Sequence, residues 1–263
     1  MSALIEDLAE RLDRAVRTGV PIPQLSAEGE LSLADAYAVQ RAGVALRTSR
    51  GERVSGAKLG FTSKAKAEQM GVSDVIIGAL TDAMAVPAGA SLDLTRSIHP
   101  RVEPEIAFLL GADVDPADPD ADLTAAITHV APALEVIDSR YRDFRFSLAD
   151  VVADNTSASA YAVGDWVPVE RVRAGIDLAG LEVVLSVDGA EAARGSSADI
   201  LGDPWAALPA TLRMAARHGQ ALRRGGVLLA GAATAAVPLP AGARVTATVA
   251  GLGDVGLLTE GAR

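Results

Sequence analysis

The chain has 263 residues, of which 49% are hydrophobic and 22% charged, a composition typical of a folded globular protein. Its formal net charge of -10 and its 3% of aromatic residues argue against nucleic-acid binding, which needs a basic surface and stacking side chains. The absence of cysteine excludes disulfides, thiolate nucleophiles and zinc–thiolate sites.

The N-terminal part predicts two helices. Apolar residues recur at every fourth position from Leu4 to Val16, and Gly19 ends this pattern. A second helix begins at Ser32, with Asp35 as its capping partner, and runs toward residue 50. We therefore expect a helical segment over residues 1–50 and a second domain over residues 51–263. With no signal peptide and no apolar stretch long enough to span a bilayer, we expect a cytoplasmic protein without a membrane partner.

The rest of the chain is rich in short apolar segments separated by Gly and Pro. These segments predict strands at residues 53–61, 102–111, 133–140, 181–189, 226–237 and 243–251. Helices are predicted around residues 63–70, 123–130 and 204–218. Because strands and helices do not alternate regularly, we predict an α+β fold with a mostly antiparallel, curled sheet. The glycine pattern at residues 251–256 lacks a following helix, which favours a hairpin over a dinucleotide site.

Three glutamates lie in apolar strands, where carboxylates are costly. Glu103 and Glu105 are two residues apart and share a strand face, and Glu135 lies within a second apolar run. If the three converge they require a cation, and an all-oxygen ligand set suits Mg²⁺ or Mn²⁺. The alternative is that Glu103 and Glu105 face solvent while Glu135 pairs with an arginine.

Basic residues are distributed unevenly. The chain has three lysines, and Lys58 lies in a predicted strand between two glycines, where an ammonium suits proton transfer or carboxylate binding. The alternative is a surface lysine whose stem covers apolar residues. Arginines cluster at residues 140–145, which predicts either an anionic substrate or a loop of surface ion pairs. The polar stretch 154–159 is interpreted as a pocket wall or a turn.

Six blocks of the sequence form a larger pattern, at residues 56–63, 70–72, 99–108, 132–141, 153–155 and 225–231. Together they resemble the 2-oxopent-4-enoate hydratase and 4-oxalocrotonate decarboxylase family of the fumarylacetoacetase superfamily. The blocks appear in the family's order and cover nearly the whole chain. The resemblance implies a mixed β-sandwich roll of the fumarylacetoacetase C-terminal-domain type. It further implies that Glu103, Glu105 and Glu135 hold Mg²⁺, with Mn²⁺ as the alternative.

The resemblance also implies a small dianionic 2-oxo acid substrate from meta-cleavage breakdown of aromatic compounds. Hydratases of the family typically carry an acidic residue at the position that matches Ile76, so Ile76 favours decarboxylation of 4-oxalocrotonate (2-oxohex-3-enedioate). The expected products are 2-hydroxypenta-2,4-dienoate and CO₂. Asp74 is close enough that a shifted alignment would restore the hydratase. A further alternative is a non-catalytic partner subunit, because family decarboxylases associate with their hydratases; a homo-oligomer is the other expected assembly.

Residue roles follow from the same resemblance. Lys58 is the predicted catalytic residue, which holds the substrate near the metal or balances the developing negative charge. The predicted substrate contacts are Val72, Ile76, Ile77, Arg140, Ser159, Gly231 and Thr234.

Overall fold

A computed structural model describes residues 2–63 and 74–261 of the chain. Both predicted N-terminal helices are present, α1 (Ala3–Thr18) and α2 (Leu33–Ser49). The hydroxyls of Ser2 and Ser32 accept hydrogen bonds from the first turns, as expected of N-caps. Gly19 ends α1 in the left-handed conformation, with φ of 65°.

Within the described residues, the larger of two sheets has eight strands in the order β2-β1-β10-β4-β5-β6, with β11 on β4 and β7 on β5. Its strands are β1 (Val54–Gly60), β2 (Ile76–Thr81), β4 (Pro100–Leu110), β5 (Ile127–Asp138), β6 (Ala158–Val163), β7 (Val167–Pro168), β10 (Val227–Ala232) and β11 (Val237–Pro238). The β1–β10 pair is parallel and the other pairs are antiparallel, so the expected mostly antiparallel sheet is confirmed.

This sheet curls until its two ends meet. The Ser55 hydroxyl lies 3.1 Å from the Tyr161 hydroxyl, although β1 and β6 are far apart in the strand order. The backbone N–H of Val86, just beyond β2, donates to the carbonyl oxygen of Tyr161 at 2.8 Å. Because the sheet closes on itself, one face becomes the interior of a roll. Small and medium side chains fill part of that interior, including Ala107, Ala133 and Leu229.

The second sheet covers part of the outer face of the roll. It contains five strands in the order β3-β13-β12-β8-β9: β3 (Ser91–Asp93), β8 (Glu182–Val187), β9 (Ala190–Ser196), β12 (Arg244–Val249) and β13 (Gly253–Glu260). Apolar side chains of both sheets form one cluster between them, with Leu134 and Val136 from β5 against Val245 and Leu257. The predicted hairpin at residues 251–256 is confirmed as the turn from β12 into β13.

Helices cover the rest of the outer face. They are α3 (Leu148–Ala153), α4 (Val169–Gly175) and α5 (Ala207–His218), and a 3₁₀ turn at Pro204–Ala206 leads into α5 where a helix was predicted. The predicted helix at residues 123–130 is wrong. A turn ends at residue 126, and Ile127 already pairs with Leu110 in the β4–β5 ladder. The predicted helix at 63–70 lies almost entirely outside the described residues. No described helix is long and apolar enough to cross a membrane.

Candidate active site

Three glutamates meet inside the roll. Glu103 and Glu135 are direct partners in the antiparallel β4–β5 ladder, and Glu105 is two residues along β4 on the same face. All three are buried, with exposed fractions of 6% for Glu103 and 0% for the other two. One carboxylate oxygen from each lies within 4.8 Å of the others. The convergence that the family resemblance implied is therefore present, and the solvent-facing alternative is wrong.

Lys58 brings a positive charge to this cluster. It lies on β1, opposite Gly78 of β2, and its side chain is 3% exposed. Nζ is 3.0 Å from Oε2 of Glu135 and donates to the carbonyl oxygen of Thr156 at 3.1 Å. The surface-lysine alternative is therefore wrong, because the whole side chain is inside the protein.

The charges within the cluster shift one another's pKa. Burial raises the pKa of Glu105 well above its ordinary value, and repulsion from Glu135 and Glu103 adds to the rise. Burial also raises the pKa of Glu135, although the neighbouring ammonium of Lys58 opposes this. Burial alone would lower the pKa of Lys58, but the three carboxylates, Glu135 foremost, outweigh it and raise that pKa. Three carboxylates this close repel one another unless a cation lies between them.

The donor set fits a hard divalent cation. Oε1 of Glu105 and Oε1 of Glu135 are buried and have no hydrogen-bond partner among the described residues. Buried carboxylate oxygens without donors are costly, and a cation would satisfy both of them. The second oxygen of Glu105 accepts from the backbone N–H of Gly231 at 2.7 Å, which fixes the carboxylate's orientation. Oxygen ligands without sulfur or imidazole are those that Mg²⁺ and Mn²⁺ prefer.

Strand β2 forms one wall beside the lysine. Pairing of Ile76 with Gly60 and of Gly78 with Lys58 places Ile76 on the same sheet face as the Lys58 side chain. Ile77, the next residue, points to the opposite face by strand alternation, and its backbone N–H donates to the hydroxyl of Tyr37 at 3.3 Å. The position of Ile76 is compatible with the predicted substrate contact, whereas that of Ile77 argues against one.

Arg140 is engaged in contacts within the protein. Its guanidinium is buried and ion-paired to Asp154, and it also donates to the carbonyl oxygens of Asp154 and Ala158. Burial raises the pKa of Asp154 to about 6 even though Arg140 opposes the rise. Arg140 therefore binds the backbone at both ends of the segment from Asp154 to Ala158, and this structural role argues against the predicted substrate contact.

The remaining residues predicted to contact the substrate lie in different surroundings. Ser159 is half-buried on β6, at the irregularity where Val136 and Ile137 of β5 pair with Ala160 and Ala158. Gly231 contacts Glu105, as described above. The Thr234 hydroxyl, beyond β10, donates to the carbonyl oxygen of Ala235 at 3.0 Å. Val72 lies outside the described residues.

Asp74 is the acidic residue that a shifted alignment would match to the hydratase position, and it is bound to the outer helix α5. Its carboxylate is 2.6 Å from a guanidinium nitrogen of Arg213 and 3.6 Å from one of Arg217, both on α5. The carboxylate therefore belongs to an ion-pair network with the outer helix. In the described part of β2, the residues on the lysine's face are Ile76, Gly78 and Leu80, none of them acidic.

The sequence pattern did not reveal the role of Thr156. Its carbonyl oxygen contacts Lys58, and its side chain lies against Gly78, where a Cβ would be 2.2 Å from Thr156 Oγ1. Asn155 fixes this turn to β2 through two hydrogen bonds of 2.8 Å with the backbone of Ala79. The one available signal was the polar stretch at residues 154–159, which could be read equally well as a turn.

Comparison with known proteins agrees with this geometry. The chain is 47% identical over 259 residues to a 4-oxalocrotonate decarboxylase from Pseudomonas sp, covering 98% of this chain and 99% of that protein. It is 34% identical over 252 residues to a 2-keto-4-pentenoate hydratase from Paraburkholderia xenovorans, covering 95% and 93%. The 4-oxalocrotonate decarboxylase from Pseudomonas putida G7, solved in complex with magnesium and adipate, superposes with a TM-score of 0.90 at 35% identity, covering 97% of each chain.

The fold, the site and these similarities identify the family. The profile of the fumarylacetoacetate (FAA) hydrolase C-terminal family matches residues 56–256, which span every residue of the carboxylate–lysine cluster. The expected β-roll fold and the expected family are both confirmed. This chain belongs to the fumarylacetoacetate hydrolase C-terminal family, within the group that contains the 4-oxalocrotonate decarboxylases and the 2-keto-4-pentenoate hydratases.

Proposed function

We propose that this protein is a divalent-cation-dependent 4-oxalocrotonate decarboxylase. The observation that carries the proposal is the buried cluster of Glu103, Glu105 and Glu135 beside Lys58. It occurs in a chain that matches a named 4-oxalocrotonate decarboxylase over nearly its full length. Magnesium and adipate in the related Pseudomonas putida structure support a metal and a six-carbon diacid as the ligands of this site.

The reaction converts 2-oxohex-3-enedioate into 2-hydroxypenta-2,4-dienoate and CO₂. The bond between C5 and the distal carboxylate breaks, and its electron pair shifts through the conjugated chain to the 2-oxo oxygen, which takes up one proton. The three glutamates would hold Mg²⁺, or Mn²⁺ in its place, and the bound cation supplies Lewis-acid polarisation of the 2-oxo group.

Lys58 would act on the same end of the substrate. Its ammonium is fixed between the carboxylate of Glu135 and the carbonyl oxygen of Thr156, and burial strengthens its field on a nearby anion. We propose that it stabilises the negative charge that develops on the 2-oxygen. Ile76, on the same face, would surround the departing carboxylate with apolar atoms. Ser159 and Thr234 remain proposed substrate contacts, as does Val72.

The hydratase is the second candidate, because relatives with that name are 34% to 36% identical to the chain. The placement of Asp74 in an ion pair with α5 and the apolar Ile76 favour the decarboxylase. A non-catalytic partner subunit is a third possibility, which the complete set of Glu103, Glu105, Glu135 and Lys58 opposes.

We also propose that residues 1–50 form a helical support for a catalytic domain of residues 51–263, that the protein acts in the cytoplasm, and that it assembles with itself or with a homologous hydratase.

An assay with two substrates tests the proposal. Purified protein is offered 2-oxohex-3-enedioate and 2-hydroxypenta-2,4-dienoate separately, with Mg²⁺ and with a chelator. The expected result is Mg²⁺-dependent CO₂ release from the first and no hydration of the second. Hydration without CO₂ release would establish the hydratase, and no reaction with either would favour the partner subunit.

A further inference from the structure

Arg140 and Asp154 form a buried clamp. The Arg140 guanidinium donates through Nε to a carboxylate oxygen of Asp154 and through a terminal nitrogen to the Asp154 carbonyl oxygen at 2.7 Å. The backbone N–H of Arg140 donates to the second carboxylate oxygen at 3.1 Å, and another terminal nitrogen reaches the carbonyl oxygen of Ala158 at 3.3 Å. The side chains of the pair are 4% and 1% exposed. The clamp therefore holds both ends of the segment between residues 154 and 158.

That segment has an unfavourable backbone conformation. Asn155, Thr156 and Ser157 have φ of 50°, 53° and 60°, so three consecutive residues other than glycine are left-handed. For a β-branched residue such as Thr156 this conformation is rare, because Cβ approaches the following carbonyl oxygen. Such a turn persists only where its surroundings fix it. The Arg140–Asp154 clamp fixes it on one side, and the Asn155–Ala79 hydrogen bonds fix it on the other.

The turn has a direct effect on the lysine. In this conformation the Thr156 carbonyl oxygen accepts a hydrogen bond from Lys58 Nζ at 3.1 Å, and the same nitrogen lies 3.0 Å from the Glu135 carboxylate. Gly78 leaves the space that the Thr156 side chain occupies, since a Cβ there would be 2.2 Å from Thr156 Oγ1. If the turn relaxed to right-handed φ values, this carbonyl oxygen would turn away and Lys58 would lose a hydrogen bond that it makes within the described part of the chain.

We propose that Arg140 is a positioning residue. Through Asp154 it fixes the left-handed turn, so that the Thr156 carbonyl holds the Lys58 ammonium in its working position. The role in catalysis rests on the proposed decarboxylase function. The conformational part, from Arg140 to the turn, does not depend on it.

Arg140→Lys is the first test, because it keeps the charge and removes the planar fork that makes the paired hydrogen bonds. We expect kcat for CO₂ release to fall by about 10- to 100-fold, the size of effect that small misplacements of catalytic groups produce. KM and the Kd for Mg²⁺ should stay within about threefold, since the carboxylates are untouched, and circular dichroism should show a folded protein at the assay temperature. Asp154→Asn removes the acceptor charge, should act in the same direction, and serves if Arg140→Lys does not fold.

Arg50→Lys is the matched control. Arg50 pairs with the buried carboxylate of Asp13 at 2.6 Å, where it joins α2 to α1, and it contacts neither Lys58 nor the turn. It should lower the melting temperature without changing kcat. An unchanged kcat in Arg140→Lys would overturn the proposal. A raised KM at constant kcat would also overturn it, and would instead support direct contact between Arg140 and the substrate.

A crystal structure of the Arg140→Lys protein tests the conformational part independently of turnover. We expect at least one of residues 155–157 to leave the left-handed region and the distance from Lys58 Nζ to the Thr156 oxygen to exceed hydrogen-bond length. An unchanged turn would overturn the inference. Absence of CO₂ release by the wild type would count against the proposed function instead, so the two failures are distinguishable.

Discussion

Replacement of Glu135 by glutamine separates metal binding from folding. The substitution keeps the size of the side chain and removes its charge. Glu135 lies within 4.8 Å of the other two carboxylates, and at that separation each like-charge pair costs about 3.5 kcal/mol at an effective dielectric constant of 20. Its attraction to Lys58 at 3.0 Å is worth about 5.5 kcal/mol on the same scale. Because the two repulsions and the attraction nearly cancel, we expect the metal-free stability to change by less than about 2 kcal/mol.

Metal binding has no such cancellation. A divalent cation held between oxygens that lie within 4.8 Å of one another is nearer to each of them than that distance, so it attracts each carboxylate by at least about 7 kcal/mol at the same dielectric constant. After desolvation removes about half of this, roughly 3 kcal/mol remains, which corresponds to a Kd for Mg²⁺ raised about 100-fold. CO₂ release at Mg²⁺ concentrations that saturate the wild type should fall with metal occupancy.

Titration calorimetry with Mg²⁺, thermal unfolding in chelator and CO₂ release measure these three quantities. Glu182→Gln is the control, since Glu182 is an exposed residue of β8 paired with Arg194 at the surface. It should change none of them. A Glu135→Gln protein with the wild-type Kd and full turnover would refute the reasoning and remove Glu135 from the metal site. A protein that unfolds in chelator would refute the charge cancellation.

Three further predictions concern the same cluster. Lys58→Met should reduce CO₂ release by about 100-fold or more, because the lysine acts on the substrate. Calorimetry should show that Mg²⁺ binding is retained, because the lysine repels the cation. Weakened Mg²⁺ binding would contradict this role. The pKa values of Glu105 and Glu135 are raised in the metal-free protein, so Mg²⁺ binding should release protons and weaken as pH falls through those values. Because the folded protein holds these protons more tightly than the unfolded chain, the stability of the metal-free protein should decline as pH rises through the raised pKa values. Calorimetry in buffers of different ionisation enthalpy measures the proton release, and thermal unfolding in chelator measures the stability. Mg²⁺ binding that does not depend on pH would refute the raised pKa values. Gly231→Ala places a Cβ 2.1 Å from Thr62 Oγ1 on a residue whose φ is 122°, and it should lower the free energy of unfolding by about 1–3 kcal/mol. It should also weaken Mg²⁺ binding, because the Gly231 N–H holds the Glu105 carboxylate. Denaturant unfolding measures the first effect and calorimetry the second.

The strand and helix types were largely predictable because they depend on local patterns. The four-residue apolar spacing located α1, and the Ser32–Asp35 cap located the start of α2. The failure at residues 123–130 has a clear cause. Those residues fit a helix in isolation, but eleven register positions join β4 to β5, and pairing with Phe108, Leu109 and Leu110 draws residues 127–130 into the strand. Tertiary pairing outweighs a weak local preference.

The carboxylate cluster shows how much of the site the two-residue alternation of a strand can predict. A period of two places Glu103 and Glu105 on one face of β4, and this is evident from the spacing of the two residues in the sequence. That Glu135 lies opposite Glu103 depends on the register between two strands, for which the family resemblance served as a guide. Register and sheet closure are properties of distant residues, so no pattern within one segment contains them.

Sequence patterns were therefore sufficient to identify the acidic face of β4, the unusual lysine and the family. Three features depend on how distant segments pack: Arg140 turns inward to Asp154, Ile77 faces away from Lys58, and the Thr156 carbonyl holds Lys58. An arginine-rich segment looks the same in sequence whether it meets a substrate or a buried carboxylate. The outcome depends on which acceptor lies within reach after folding, since a buried charge must find a partner wherever the fold provides one.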